Sequence, residues 1–164
     1  MATNLLKKYN QLLELLYSNH YDNVNSIKNV FYRDFNVNKP LIFNNKNILP
    51  TPADGEDKIE RLFNHLTRKE VDFITKKREF DSERAIRIHW IKYHLINISK
   101  LNTLISFKIA DENRVYVLDK KEKYVVILEP LRQQDAYYLL SAYRLLPSNY
   151  QKIMKKFEKR GEPI

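Results

Sequence analysis

A chain of 164 residues with 43% hydrophobic residues, 2 Gly and 6 Pro holds enough apolar material for one ordinary core, and too little Gly and Pro for a collagen-like or low-complexity chain. It contains no cysteine, which excludes disulfide frameworks, thiolate zinc fingers, iron–sulfur clusters and thiol nucleophiles. Lys and Arg number 29 against 20 acids, and the resulting charge of +9 attracts polyanions, either nucleic acid or an anionic membrane. The excess is spread along the chain, which favours a cationic face over a disordered basic arm. No apolar run approaches the roughly 18 residues that span a bilayer. The opening Met1-Ala2-Thr3-Asn4 lacks a basic segment followed by an apolar block. A cytoplasmic protein without a membrane partner or a secretion signal of its own is therefore expected.

The first predicted element is an amphipathic helix, because Leu5, Leu6, Tyr9, Leu12, Leu13 and Leu16 recur at helical spacing after a capping Thr3. A second, shorter helix carries Val24, Ile27, Val30 and Phe31. Residues 36–54 turn Asn- and Pro-rich, and Pro40, Pro50 and Pro52 each bias the preceding residue away from helix, which marks a linker. The domain reading is accordingly a helical extension over 1–52, linker included, and a main domain over 53–164. Ile59, Leu62, Phe63 and Leu66 form the stripe of the next helix, and Thr67 with Glu70 reads as a capping box that opens another one carrying Val71 and Ile74. Asp81 caps a helix expected over 81–97, with Ile88, Ile91, Leu95 and Ile98 buried and Arg84 in the middle of the apolar stripe.

After Asn102 the hydrophobic period changes from helix to strand. Four runs rich in Val, Ile and Tyr, parted by short polar stretches, read as an antiparallel meander over 103–146. A helix capped by Ser148 and Gln151 closes the chain, apolar at Tyr150, Ile153, Met154 and Phe157 and basic at Lys152, Lys155, Lys156, Lys159 and Arg160. The expected class is α+β: N-terminal helices, a four-stranded antiparallel meander sheet with helices packed on one face, and a C-terminal helix. The other sheet face is then free to form a groove.

Few residues carry chemistry. Gly55 and Gly161 are the only glycines and neither follows a strand, so a phosphate-cradling glycine loop is excluded. His89 and His94 lie five apart, on different helix faces, which argues against a metal site and for packing roles. Arg84 has two readings. It reaches solvent past the sheet edge or pairs with a carboxylate such as Asp72, or it points into a cleft and binds phosphate, for which its planar fork suits it. Lys76-Lys77-Arg78 reads as a solvated basic run at a helix end, with phosphate contact as the alternative. Ser141 stands on a strand with Tyr137, Leu139 and Tyr143 on its own face by the period of two. A hydroxyl between tyrosines can hold a phosphate while the rings stack bases, or it simply makes room for a packed helix.

The stretch FDSERAIRIHWIKYHL over 80–95, followed by RVYVLD, KYVVILEP and YYLLSAYRL, resembles the phage- and prophage-associated branch of the barnase/EndoU/colicin/RelE-like (BECR) nuclease superfamily. The resemblance covers about residues 56–147, and fold-level likeness by itself does not carry activity. It implies a metal-independent endoribonuclease that needs no cofactor, acts as a toxin in bacterial or phage conflict, and is held in check by an immunity protein or antitoxin. Such enzymes attack the phosphodiester of an RNA, transfer RNA among the substrates, with its own 2′-hydroxyl to leave a cyclic phosphate. The catalytic set it implies is His65, Arg84, Ser141 and Tyr143, with Lys77 or Arg78 as a phosphate contact; Lys76, Arg87, Arg144 and Lys155 are the further RNA- or phosphate-binding residues expected. The alternative is a catalytically inert, phage-associated nucleic-acid-binding or structural module with the same fold.

Overall fold

The computed structural model describes residues 3–36, 38–98, 100–109, 111–161 and 163–164, so Met1 and Ala2 of the leader reading lie outside it. The N-terminal leucines do not form the expected helix. Only Asn4–Leu6 makes a single 3-10 turn, and the chain then runs irregularly to Asn19. Side-chain hydrogen bonds outcompete helical ones here. Buried Asn4 donates to the Glu14 carbonyl (3.0 Å) and Ser26 Oγ (2.8 Å) while its own oxygen accepts from Glu14 N–H (2.7 Å). Asn10 adopts a left-handed φ of 72°, which no helix interior tolerates, and short polar side chains are the ones that visit it.

Helix α1 (His20–Asp34) follows, with Asn19 accepting from Tyr21 N–H as its cap, a contact typically worth about 1 kcal/mol. It buries Ile27, Val30 and Phe31. The Asn- and Pro-rich stretch expected as a linker carries two strands, β1 (Ile42–Phe43) and β2 (Lys46–Leu49). They pair across Asn44-Asn45, both at positive φ (52° and 62°), the backbone that a tight hairpin demands and asparagine supplies. Helix α2 (Lys58–Leu66) is capped by Asp57, which accepts from Glu60 N–H.

Thr67 and Glu70 open no second helix. The Thr67 hydroxyl donates backward to the Phe63 carbonyl (2.9 Å), and the chain turns into a two-stranded ribbon, β3 (Arg68–Glu70) with β4 (Arg78–Phe80). Asp72 accepts from Ile74 and Thr75 N–H to hold the turn, and Lys76 completes it at φ 59°. Asp81 caps as expected, accepting from Glu83 and Arg84 N–H, but the helix breaks: α3 (Ser82–Ala85) gives way to tight turns through 86–89, then α4 (Trp90–Asn97).

The strands β5 (Leu104–Ile109), β6 (Arg114–Asp119), β7 (Tyr124–Pro130) and β8 (Ala136–Arg144) run antiparallel in sequence order. The sheet is nevertheless not the four-stranded antiparallel meander of the expectation. It is six-stranded, mixed and curled into a half-barrel in the order β1-β2-β8-β7-β6-β5, because β2 adds parallel to β8, Asn47 to Leu49 alongside Ala136 to Tyr138. Short strands hidden among Asn and Pro are what periodicity cannot register. Nor is one face free. Helices α1, α2 and α4 enclose a core with Val115, Val117, Tyr124, Val126, Leu128 and Leu139, while α5 (Pro147–Glu158) packs its Ile153 with Phe107, Tyr116, Leu118 and Val125 on the other face. Helix α5 starts with Leu146 as cap and Pro147 in its first turn rather than at Ser148. Among the described residues no helix is long and apolar enough to cross a membrane.

The irregular N-terminal segment is tied to this body by a buried polar network. Asp119 (2% exposed) accepts from the Tyr9 hydroxyl and from His94 Nε2 (3.2 Å), while His94 Nδ1 donates to the Trp90 carbonyl (2.6 Å). Tyr9 stacks on Tyr93 with ring centroids 3.6 Å apart. Burial alone would raise the Asp119 carboxyl, but the hydrogen bonds from His94, Tyr9 and the Glu122 N–H outweigh it and hold it at about 2. A carboxyl depressed in the folded state stabilises the fold above its unfolded value near about 4 and loses that contribution as pH falls towards its folded value. Denaturation midpoints are therefore expected to fall steeply between about pH 4 and pH 2. Asp119→Asn should be less stable at neutral pH and flatter across that acid window, as urea titrations at several pH values would register.

Candidate functional site

Strand β8 loses its outer neighbour halfway. β2 pairs with it only as far as Tyr138, so Leu139 onward presents an edge that α2 and α3 flank instead of a strand, with the β3–β4 ribbon packed beside α2. Opposite that edge, a bulge sets Ser141 against Ile127 and Leu139 against Leu128, leaving Leu140 as the extra residue. The bulge reverses the alternation that the sequence suggests. Tyr137 and Leu139 belong to the helical core face, whereas Ser141 and Tyr143 fall on the α5 face with Ile127 and Val125. The expected face shared by all four therefore does not form.

Along the edge lies a cavity of about 200 Å³ lined by Thr51, Arg61, Leu62, His65, Leu139 and Leu140. His65 comes from the last turn of α2, and Arg61, one turn earlier, shares its helix face. Burial lowers the His65 pKa from its usual 6.5, the charges of Arg78, Arg84 and Arg61 lower it further, and a backbone hydrogen bond with Leu140 works the other way. Its ring is thus biased to the neutral form at pH 7.

The arginines are held by backbone carbonyls rather than carboxylates. Arg78 Nη2 donates to the carbonyls of His65 (3.2 Å) and Arg68 (2.7 Å), and Arg84 Nη1 donates to that same Arg68 oxygen (3.2 Å). Two guanidinium nitrogens on one oxygen lie within about 6 Å of each other, a separation at which unit charges repel by roughly 2–3 kcal/mol at an effective dielectric near 20. The nearest carboxylate answer is Asp81, whose Oδ2 is 3.5 Å from Arg84 Nε; Asp72, the partner expected from the sequence, is occupied at the ribbon turn. Arg84 also lies over the Tyr143 ring (4.9 Å to the centroid), and burial pulls its guanidinium below the usual value while Asp81 opposes. Arg78 Nε is buried and donates to no partner among the described residues.

The other expected residues divide. Arg87 is committed to Glu83 through both its carbonyl and its carboxylate (2.8 Å each), and Arg144 lies 3.9 Å from the same carboxylate. The Nε of Arg87, like that of Arg78, is buried without a partner among the described residues. Lys76 and Lys77 lie in the connection that leads into Arg78 at the start of β4, rather than at a helix end. Lys155 is exposed on α5, which packs on the sheet face away from α2. His89 (5% exposed) donates to the Lys8 (3.2 Å) and Gln11 (2.9 Å) carbonyls, and His94 belongs to the Asp119 network, so both serve packing. Arg61 was not expected; its spacing of four from His65 on an amphipathic helix was the available sign. So were the backbone oxygen of Arg68 and the bulge at Leu140, which no side-chain pattern announces. Among the described residues no three His, Asp or Glu side chains gather as a metal-binding group.

No family model, no curated protein and no solved structure matches this chain.

Because three arginines push the His65 titration down together, removing one must let it rise. Arg78→Ala and Arg84→Ala should each raise the His65 pKa towards 6.5 without reaching it, since burial remains. Ring-proton NMR across pH 4–8, with unchanged dispersion elsewhere as the folding control, reads the shift.

Proposed function

We propose that the edge of β8 binds a phosphodiester of RNA and cleaves it by attack of the neighbouring 2′-hydroxyl, without a metal ion. One observation carries the reading: Arg78 and Arg84 converge on a single carbonyl oxygen beside a neutral His65, with a buried guanidinium N–H unpartnered and one carboxylate to answer them. Such a site is short of negative charge. A phosphate supplies it with acceptor oxygens suited to the guanidinium fork, whereas the same cluster repels a divalent cation.

The chemistry follows from the groups. Neutral His65 takes the proton from the 2′-hydroxyl as its oxygen bonds to phosphorus; the bond to the 5′-oxygen breaks, that oxygen takes a proton from water, and a 2′,3′-cyclic phosphate remains. Arg84 and Arg78 stabilise the extra charge on the phosphoryl oxygens, with Arg61 adding to the field. Tyr143 supports Arg84 from the ring face, whereas Ser141 falls on the α5 face, away from His65, and takes no part. Arg87 and Arg144, sharing Glu83, extend the cationic border. RNA places the action in the cytoplasm, and unrestrained cleavage there makes the protein a toxin that an inhibitory partner must cover. Expression in a bacterial host should then arrest growth, and Arg84→Ala should relieve the arrest.

The decisive measurement is single-turnover cleavage of RNA, transfer RNA included, in the presence of a chelator. Arg84→Ala should cut the rate by about 100-fold or more, and His65→Ala by roughly 100- to 10,000-fold, with folding checked by circular dichroism. The rate should fall as pH drops through the lowered His65 pKa, because the protonated ring accepts nothing, and Arg78→Ala should move that limb upward. Full activity in both alanine variants removes the site assignment. Cleavage abolished by chelator overturns the metal-free mechanism, and RNA binding without turnover makes the protein a binding module.

A further inference from the structure

Ten consecutive residues, 68–77, are solvent-exposed, the whole of β3 and the ribbon turn. At the tip Phe73 is 79% and Ile74 89% exposed, the most exposed of the large hydrophobic side chains described. Exposed apolar groups scattered singly require no account, but here two adjacent ones, with half-exposed Val71 nearby, stand at the tip of a ribbon most of whose other residues are charged. The turn beneath them is built, not loose: Asp72 accepts from two backbone N–H groups, and Val71 N–H donates to the Lys77 carbonyl (2.8 Å). One face of the Phe73 ring carries the Lys76 ammonium at 3.9 Å from the centroid. An aromatic ring with a cation beside it, held out on a fixed turn, is the pairing that takes a base on the ring and its phosphate on the ammonium.

The base of this ribbon is the site already described. Arg68 offers the carbonyl on which Arg78 and Arg84 converge, and Arg78 is itself the first residue of β4. Ile74 and Phe73 precede Arg78 by four and five residues, a span of about 18 Å at most. A chain whose phosphate lies at Arg78 and Arg84 and whose neighbouring nucleotides run outward would meet Lys77, Lys76 and then Phe73. The ribbon bears five bases against three acids between residues 68 and 79. Its ion pairs, Lys76 with Glu70 (3.9 Å) and Lys77 with Glu79 (3.5 Å), are exposed and weak, so either lysine can exchange its carboxylate for a phosphate.

We infer that the β3–β4 ribbon is a clamp for single-stranded RNA flanking the cleaved bond, with Phe73 stacking on a base and Lys76 and Lys77 on the phosphates that lead to the site. This rests on the proposed phosphodiester site for its direction, and the acidic residues interleaved along the ribbon speak against an anionic lipid surface as the occupant.

The probe is a single-stranded RNA of about 12 nucleotides, fully 2′-O-methylated so that it lacks the attacking hydroxyl, with affinity read by fluorescence anisotropy on the full chain. Phe73→Ala should weaken binding by roughly 5- to 100-fold, Phe73→Trp should restore it, and Lys76→Gln should weaken it with a shallower salt dependence. Because the tip touches no core residue, these variants should keep the wild-type unfolding curve. The inference is overturned if the wild type does not bind the oligonucleotide, if Phe73→Ala binds as the wild type does, or if the Phe73-dependent partner is instead a phosphatidylcholine–phosphatidylserine vesicle in a flotation assay. The two readings fail separately. Phe73-dependent binding with no cleavage of ordinary RNA leaves the clamp and removes the nuclease, whereas cleavage with Phe73-independent binding does the reverse.

Discussion

The parallel pairing of β2 with β8 stops after three residue pairs, and the chemistry of the molecule collects where it stops. A strand edge is a row of unsatisfied backbone groups, which proteins pair, cover or charge. This one is covered by α2 and α3, with the ribbon bonded to the end of α2, and each brings a cation or a titratable ring: Arg61 and His65 from α2, Arg84 from α3, Arg78 from the ribbon. Had β2 continued alongside Leu140, those side chains would face a strand and the cavity would close. The bulge at Leu140 belongs to the same device, since it turns Ser141 and Tyr143 to the side on which Arg84 stacks.

That edge stays in place because the N-terminal segment does structural work a helix could not. Its backbone bonds to Ile86 through Leu13 N–H (2.9 Å), and its carbonyls receive the ring N–H groups of His89 and Trp90. Residues 86–90 are the tight-turn joint between α3 and α4, so the segment splints the joint that aims Arg84. Buried donors and acceptors are costly when unpaired, about 1–3 kcal/mol each, which makes the arrangement all-or-none. Asn4, Tyr9 and Asp119 anchor its two ends to α1 and β6 in the same way.

Much of this was legible in the residues and some could not be. The change of period after Asn102 does mark the onset of β5 to β8, and Asn102-Thr103 precedes β5 directly. Asp57 and Asp81 sit where their side chains cap helices. The failures share a cause: a local rule yielding to a long-range partner. Leucines at helical spacing lost to Asn4 reaching residues 14 and 26; Thr67 with Glu70 satisfied a capping pattern while Thr67 bonded backward; four apolar residues around two asparagines gave β1 and β2 only because β8 had an edge to offer. For the site, His65 and Arg84 could be named from residue type, but what joins them is the Arg68 carbonyl, and a backbone oxygen has no signature.

The cationic edge also explains why its arginines are tied to carbonyls. A carbonyl fixes the guanidinium geometry without neutralising the charge, and the one carboxylate close to the pair, Asp81, stands 3.5 Å from Arg84 Nε. The consequence is a site under mutual repulsion, tolerated because the surrounding core is well packed. On His65, burial first and then the same charges lower the ring's pKa. In the proposed function, one arrangement would serve both the binding of a phosphate and the removal of the proton beside it.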